Sequence, residues 1–208
     1  MMGQQVVDLH QKRTLPILDP QLNAIPCHSN DYLNLSTHQA LIDALQLSAT
    51  QYGIGSTGSR LLSGHHSLFA QVEKKLASFM GYDATLIFNS GFQLNSGFIS
   101  SIVNHHDLVI ADKYIHASLI DGIQLSKATF KRFRHNDISH LATLLTTHRK
   151  QYKRCLLVTE SLFSMDGDRA PLQQINQLAE QFDCEFMVDE AHAIGALGPY
   201  GKGLTAQE

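Results

Sequence analysis

The sequence predicts an α/β fold: a mostly parallel sheet with helices on both faces. Two observations carry this expectation. Short apolar runs alternate with longer segments of helical periodicity, as in strands joined by crossover helices. Polar residues able to do chemistry follow the ends of those runs, where ligands sit in such sheets. The composition agrees, since 43% hydrophobic and 17% charged residues over 208 positions suffice for one large core.

The elements follow in order. Residues 1–35 read as an arm, because Pro16, Pro20 and Pro26 interrupt any regular element there. Ser36-Thr37-His38-Gln39 has capping-box spacing and predicts a helix carrying Leu41, Leu45 and Tyr52. A polar, glycine-rich loop runs from Gly53 to Gly64. Leu68, Val72, Leu76, Phe79 and Met80 then share one helical face, and Gly81 stops that helix. Ala84–Phe88 is an apolar run expected to form a strand, and Phe92–Val103 a helix. Leu108–Ala111 predicts a strand, Ala117–Leu125 a helix, and Ala128–Phe133 a short strand. Asp137 is placed to cap a helix over Ile138–Arg149. Cys155–Thr159 predicts a strand, Pro171 opens a helix, and Glu185–Val188 is a last strand ending at Asp189. Residues 36–208 thus form one large domain, without internal repeats.

Several function classes drop out. A net charge of -3 leaves no electrostatic footprint for nucleic acid. Met1–His10 holds no apolar signal core, and no run reaches the length of a membrane span, so a cytoplasmic protein is expected. Cys27, Cys155 and Cys184 have neither disulfide-framework nor zinc spacing, and no metal is expected. Gly53-Ile54-Gly55-Ser56-Thr57-Gly58 matches a dinucleotide fingerprint, but a helix rather than a strand precedes it. Asp189-Glu190-Ala191-His192 spells a helicase box, but no phosphate loop of the form G-x-x-x-x-G-K-[ST] precedes it.

Three places remain as candidates. Ser90-Gly91-Phe92 joins a strand end to a helix start, where small residues let backbone N–H groups face a phosphate. The plainer reading is an ordinary turn capped by Ser90. Asp189 arrives at the end of a buried strand and needs a partner there, such as a protonated ring nitrogen. His192 follows within reach of the same ligand. The plainer reading makes Asp189 a helix cap. His116 opens a helix after a strand and can stack flat on an aromatic ring, or serve as a structural helix-terminus histidine.

Longer motifs carry a family resemblance. Asn30-Asp31-Tyr32-Leu33-Asn34-Leu35-Ser36, Gly55-Ser56-Thr57-Gly58-Ser59-Arg60-Leu61-Leu62-Ser63-Gly64 with His65-His66, Thr159-Glu160-Ser161-Leu162-Phe163-Ser164-Met165-Asp166-Gly167-Asp168 and Val188-Asp189-Glu190-Ala191-His192 resemble motifs of the α-oxoamine synthases. The matches run from about Asn30 to Gly203. The resemblance implies the large domain of a fold-type-I pyridoxal-phosphate (PLP) transferase, usually a homodimer with its site at the subunit interface. It implies a decarboxylative condensation of an amino acid with an acyl thioester. In the biotin-pathway branch, which the Gly58–His66 stretch favours, these are L-alanine and pimeloyl-CoA or pimeloyl-acyl-carrier protein, giving 8-amino-7-oxononanoate. Glycine C-acetyltransferase, aminolevulinate synthase and serine palmitoyltransferase activities are the alternatives within the family.

Roles carry over by the same resemblance. Gly91 and Phe92, with Ser90 beside them, hold the cofactor phosphate. His116 stacks on the pyridine ring, Asp189 pairs with the ring nitrogen, and Ser164 and His192 reach the ring oxygen. Arg13 matches a substrate-contacting arginine of the arm. Asn34 stands where the family has Gly, a change that positive φ tolerates. The family's Schiff-base lysine is expected in a T-x-x-K-x-x-G segment past Glu208. Lys202 instead matches the basic residue of a G-x-x-G-R/K-G loop. The 208 residues are therefore expected to be a front part, lacking the small C-terminal domain and inactive alone. A non-catalytic truncated chain or partner-dependent subunit is the other class.

Overall fold

The computed structural model describes residues 28–207. Arg13, Cys27 and most of the expected arm lie outside the described residues. Four strands form one sheet: β1 (Leu108–Asp112), β2 (Thr129–Phe133), β3 (Cys155–Glu160) and β4 (Glu185–Asp189). The order is β2-β1-β3-β4 and every pairing is parallel. Among the described residues six α-helices accompany them: α1 (Gln39–Tyr52), α2 (Ser67–Met80), α3 (Gly91–Ile102), α4 (Ala117–Ser126), α5 (Ile138–His148) and α6 (Leu172–Gln181). The expected α/β class is therefore the observed one.

Strand alternation sorts the core into two layers. Leu108 and Ile110 of β1 join Phe133, Leu157, the α5 residues Leu141 and Leu145, and Ile175 of α6 on one face. Val109 and Ala111 join Leu156, Val158, Ile99 of α3, and the α4 residues Leu119 and Ile123 on the other. Both faces being covered, β1 and β3 can be apolar at nearly every position. Each such side chain contributes about 1.5–3 kcal/mol on burial.

Helix ends follow local chemistry. Gly81 takes a left-handed conformation (φ 81°) and its N–H caps Ala77, which stops α2. Asp137 caps α5 by accepting from the His140 N–H at 2.9 Å. Asn34 sits at φ 52°, in the region its replacement of Gly anticipates.

Two expectations are corrected. The capping box at Ser36 does not form. Asp31 accepts from the Leu35 and Ser36 N–H groups at 2.7 and 3.2 Å, and α1 starts only after His38, which makes no side-chain cap. Ala84–Phe88 is not a strand. An ion pair takes the backbone groups of its Ile87 instead. Glu73 accepts from the Ile87 N–H at 2.9 Å, and Arg60 donates to the Ile87 carbonyl at 3.4 Å.

Candidate active site

The strand order reverses direction between β1 and β3, the topological point where α/β sheets open a crevice. A cavity of about 540 Å³ lies one strand further over, at the carboxyl ends of β3 and β4. Gly91 and Phe92 of α3, His116 before α4, Glu160 of β3, Asp189 of β4 and His192 all line it. Residues as far apart in sequence as Gly91 and His192 are thus brought together by strand ends and helix starts.

The wall at α3 is a helix N-terminus. Ser90 caps it, its Oγ accepting from the Gln93 N–H at 3.2 Å. The Gly91 and Phe92 N–H groups precede the first intrahelical acceptor and face the cavity end of the helix dipole. Ser90 thus caps the helix, and its two followers line the cavity. His116 behaves likewise. Its Nδ1 accepts from the Ser118 N–H at 3.2 Å and meets the Ser118 hydroxyl at 2.8 Å. That double contact fixes the exposed imidazole at the cavity wall.

Asp189 uses its two oxygens differently. Oδ1 accepts from the Ala191 N–H at 2.9 Å, which is the capping role. Oδ2 accepts from Asn95 Nδ2 at 2.8 Å. Asn95 is itself 5% exposed and also donates to Ser118 Oγ at 3.0 Å. One amide thereby ties Asp189 to the residue that holds His116. His192 is half-buried, with Nδ1 2.6 Å from the Tyr32 hydroxyl.

Ser164 is exposed in the turn after β3 and does not line this cavity. Ser90 touches it only through its neighbours. Arg13 lies outside the described residues. Sequence reasoning gave no role to Asn95, Ser118, Tyr32 or Glu160. Asn95 had a detectable signal: it lies four residues before Ile99, on the buried face of α3. Glu160 ends an otherwise apolar run and is buried at 5% exposure. Burial, reinforced by the nearby Asp189 and Asp112 charges, pushes its carboxyl up to about 7 despite the His116 N–H nearby.

A second polar cluster sits beside β2. His135 bridges Asp112 at 2.9 Å and Asp168 at 2.8 Å. Burial opposes its charge, but the two carboxylates outweigh that and raise its pKa. The glycine-rich segment is held by Arg60, which grips both Glu73 oxygens at 2.7 and 2.9 Å and keeps that carboxyl down at about 2. Among the described residues, no three His, Cys, Asp or Glu side chains gather as a metal site, and no helix is long and apolar enough to cross a membrane.

Comparisons with known proteins can be set beside this geometry. Residues 24–205 match the family described as aminotransferase class I and II. A protein of Acaryochloris marina, named "Putative 8-amino-7-oxononanoate synthase", is 48% identical over 177 residues, which cover 85% of this chain and 45% of that protein. A serine palmitoyltransferase from S. paucimobilis, solved with a bound PLP–myriocin compound, superposes with a TM-score of 0.82 at 34% identity. That match covers 86% of this chain and 46% of the other. An 8-amino-7-oxononanoate synthase from Francisella tularensis gives 0.68 at 35% identity, over 84% and 47% respectively. The chain thus spans about half the length of the relatives it matches.

Proposed function

The chain belongs to the aminotransferase class I and II family, and from that premise we propose that it is part of a PLP-dependent α-oxoamine synthase. The reaction proposed is the decarboxylative condensation of L-alanine with pimeloyl-CoA or pimeloyl-acyl-carrier protein to 8-amino-7-oxononanoate, by a homodimer. The observation that carries the cofactor reading is the convergence of a helix N-terminus, an imidazole and a partnered carboxylate on one cavity.

The residues present fit the group. The α3 N-terminus suits a phosphate, because its first N–H groups lack intrahelical acceptors and its dipole favours an anion. Asp189, held by Asn95 and the Ala191 N–H, offers a fixed negative charge to a cationic ring nitrogen. His116 presents an imidazole whose rotation Ser118 restricts. When bound, PLP supplies an electron sink that stabilises negative charge beside the amino group of a substrate. Asp189 supports that role by keeping a proton on the ring nitrogen, and His116 orients the ring. His192, steadied by Tyr32, serves as a donor near the ring oxygen, and Ser164 would join it there only after a movement of its turn. Arg13 is retained as a substrate contact of the arm.

The acyl group is argued from likeness. The Acaryochloris relative is 48% identical, against 34% for the serine palmitoyltransferase, which favours the pimeloyl thioester. A second reading, condensation with a longer acyl thioester, is supported by the higher TM-score of that transferase, 0.82 against 0.68. The test is a panel of acetyl, succinyl, pimeloyl and palmitoyl thioesters with alanine, glycine and serine, offered to the protein expressed from its complete gene. Turnover greatest with alanine and a pimeloyl thioester is expected. Preference for palmitoyl thioester and serine would replace the first reading by the second.

A further inference from the structure

Glu160 has no part in the roles above, yet it lines the same cavity and is 5% exposed. The parallel register sets it directly beside Asp189 on the neighbouring strand. A buried carboxyl beside a half-buried one on the next strand does not ionise freely, because each negative charge opposes the other. Their partners decide which one keeps the proton. Asp189 accepts from Asn95 Nδ2 and from the Ala191 N–H, two donors that favour its charged form. The His116 N–H lies close enough to the Glu160 carboxyl to act on it. The titratable groups around it come from each neighbouring element: Asp189 from β4, Asp112 from β1, His116 from the start of α4, and Glu190 and His192 from the turn after β4, the Glu190 carboxyl being taken up by Leu204 and Thr205. Among the described residues, no lysine or arginine lines the cavity to offset them.

We propose that Glu160 is a positioning residue of this site, standing protonated beside Asp189 and anchoring the backbone of His116. The proposal rests on the PLP reading of the cavity and adds a division of labour between two carboxyls. One negative charge faces the ring, and the second carboxyl serves as a neutral acceptor that fixes where the imidazole stands. Deprotonation of Glu160 adds a second negative charge beside an anionic cofactor, so binding weakens as pH rises through neutrality. Burial and the neighbouring charges, which push this carboxyl up to about 7, agree with that direction.

The test compares wild type, Glu160→Gln and Glu160→Leu, each expressed from the complete gene. Glutamine copies the neutral acid and keeps an acceptor for the His116 N–H, whereas leucine leaves that N–H unbonded. The first readout is PLP affinity from fluorescence titration between about pH 5.5 and about pH 8.5. Glu160→Gln is expected to match wild type at the acid end and to lose the weakening that wild type shows at the alkaline end. Glu160→Leu is expected to bind about three- to tenfold more weakly at every pH, the effect of one lost hydrogen bond.

The second readout is thermal melting without cofactor. An acid whose folded pKa is raised stabilises most below its unfolded value and loses that contribution as pH rises through the folded value. Wild type should therefore fall relative to Glu160→Gln from about pH 5 to about pH 8. Parallel pH profiles for wild type and Glu160→Gln in melting would overturn the protonated state. Wild-type affinity in Glu160→Leu would overturn the anchoring. A wild type that binds no PLP would sink the cofactor reading instead, and the melting comparison would still decide which carboxyl holds the proton.

Discussion

Asp189 shows how one residue serves two ends. Its Oδ1 closes the turn after β4, and its Oδ2 is held toward the cavity by Asn95. Asn95 also reaches Ser118, so it links the carboxylate to the residue that steadies His116. Asn95→Ala removes both bonds at once. We expect PLP affinity to fall by about tenfold, the ~1.4 kcal/mol of a hydrogen bond to a charged group. Fluorescence titration measures this, and an unchanged affinity would detach Asn95 from the site. Asp189, His116 and Gly91 were legible in the sequence because each stands at the junction of two patterns, a strand end or a helix start. Glu160 was not, because it closes a mostly apolar strand, and Asn95 showed only as a polar residue at the spacing of a buried helix face. Their polarity is explained only by what the fold places opposite them.

At the scale of elements, the site depends on the distance between α3 and α4. The first carries Gly91 and Phe92, the second follows His116, and the two helices pack side by side. Gly122 sets that distance. A Cβ there would stand 2.6 Å from the Asn95 carbonyl oxygen and 3.0 Å from Ser96 Cα, both on the backbone of α3. Gly122→Ala must push the helices apart. A loss of ~1–3 kcal/mol is expected from such overpacking, read as a lower denaturant midpoint. PLP affinity should fall with it, because Asn95 moves as well. A midpoint equal to wild type would show that the pair can slide without strain. The same scale explains which elements were legible. Helices with a clear apolar face and strands buried on both sides were found within a residue or two at most ends. Ala84–Phe88 misled because an apolar run does not reveal whether a neighbouring strand exists. Here the Arg60–Glu73 pair takes the N–H and carbonyl of Ile87, which a sheet would have taken. Ser36 misled because Asp31 competes for its N–H.

The whole molecule carries more apolar surface than its core needs to leave uncovered. Ile54 is 100% exposed, Leu61 96% and Leu62 85%, all in the glycine-rich segment between α1 and α2. Leu45 and Leu47 of α1 are 70% and 68% exposed. At the sheet edge, Phe186, Met187 and Val188 of β4 are only half-buried, whereas every residue of β3 is buried. Single exposed hydrophobic residues are ordinary, but contiguous ones mark surfaces that another surface covers. An open parallel edge adds unpaired backbone donors and acceptors. This 208-residue chain, expressed by itself, is therefore expected to self-associate and to bind a hydrophobic dye. Sedimentation velocity over a concentration series measures the first, and dye fluorescence the second. Ile54→Lys with Leu61→Lys should shift the distribution toward smaller species, since charge on that segment opposes its burial. A 208-residue chain that stays monomeric and dark at every concentration would mean that these side chains cover one another in solution. The interface reading of the glycine-rich segment, and with it the support for a homodimer, would then fall.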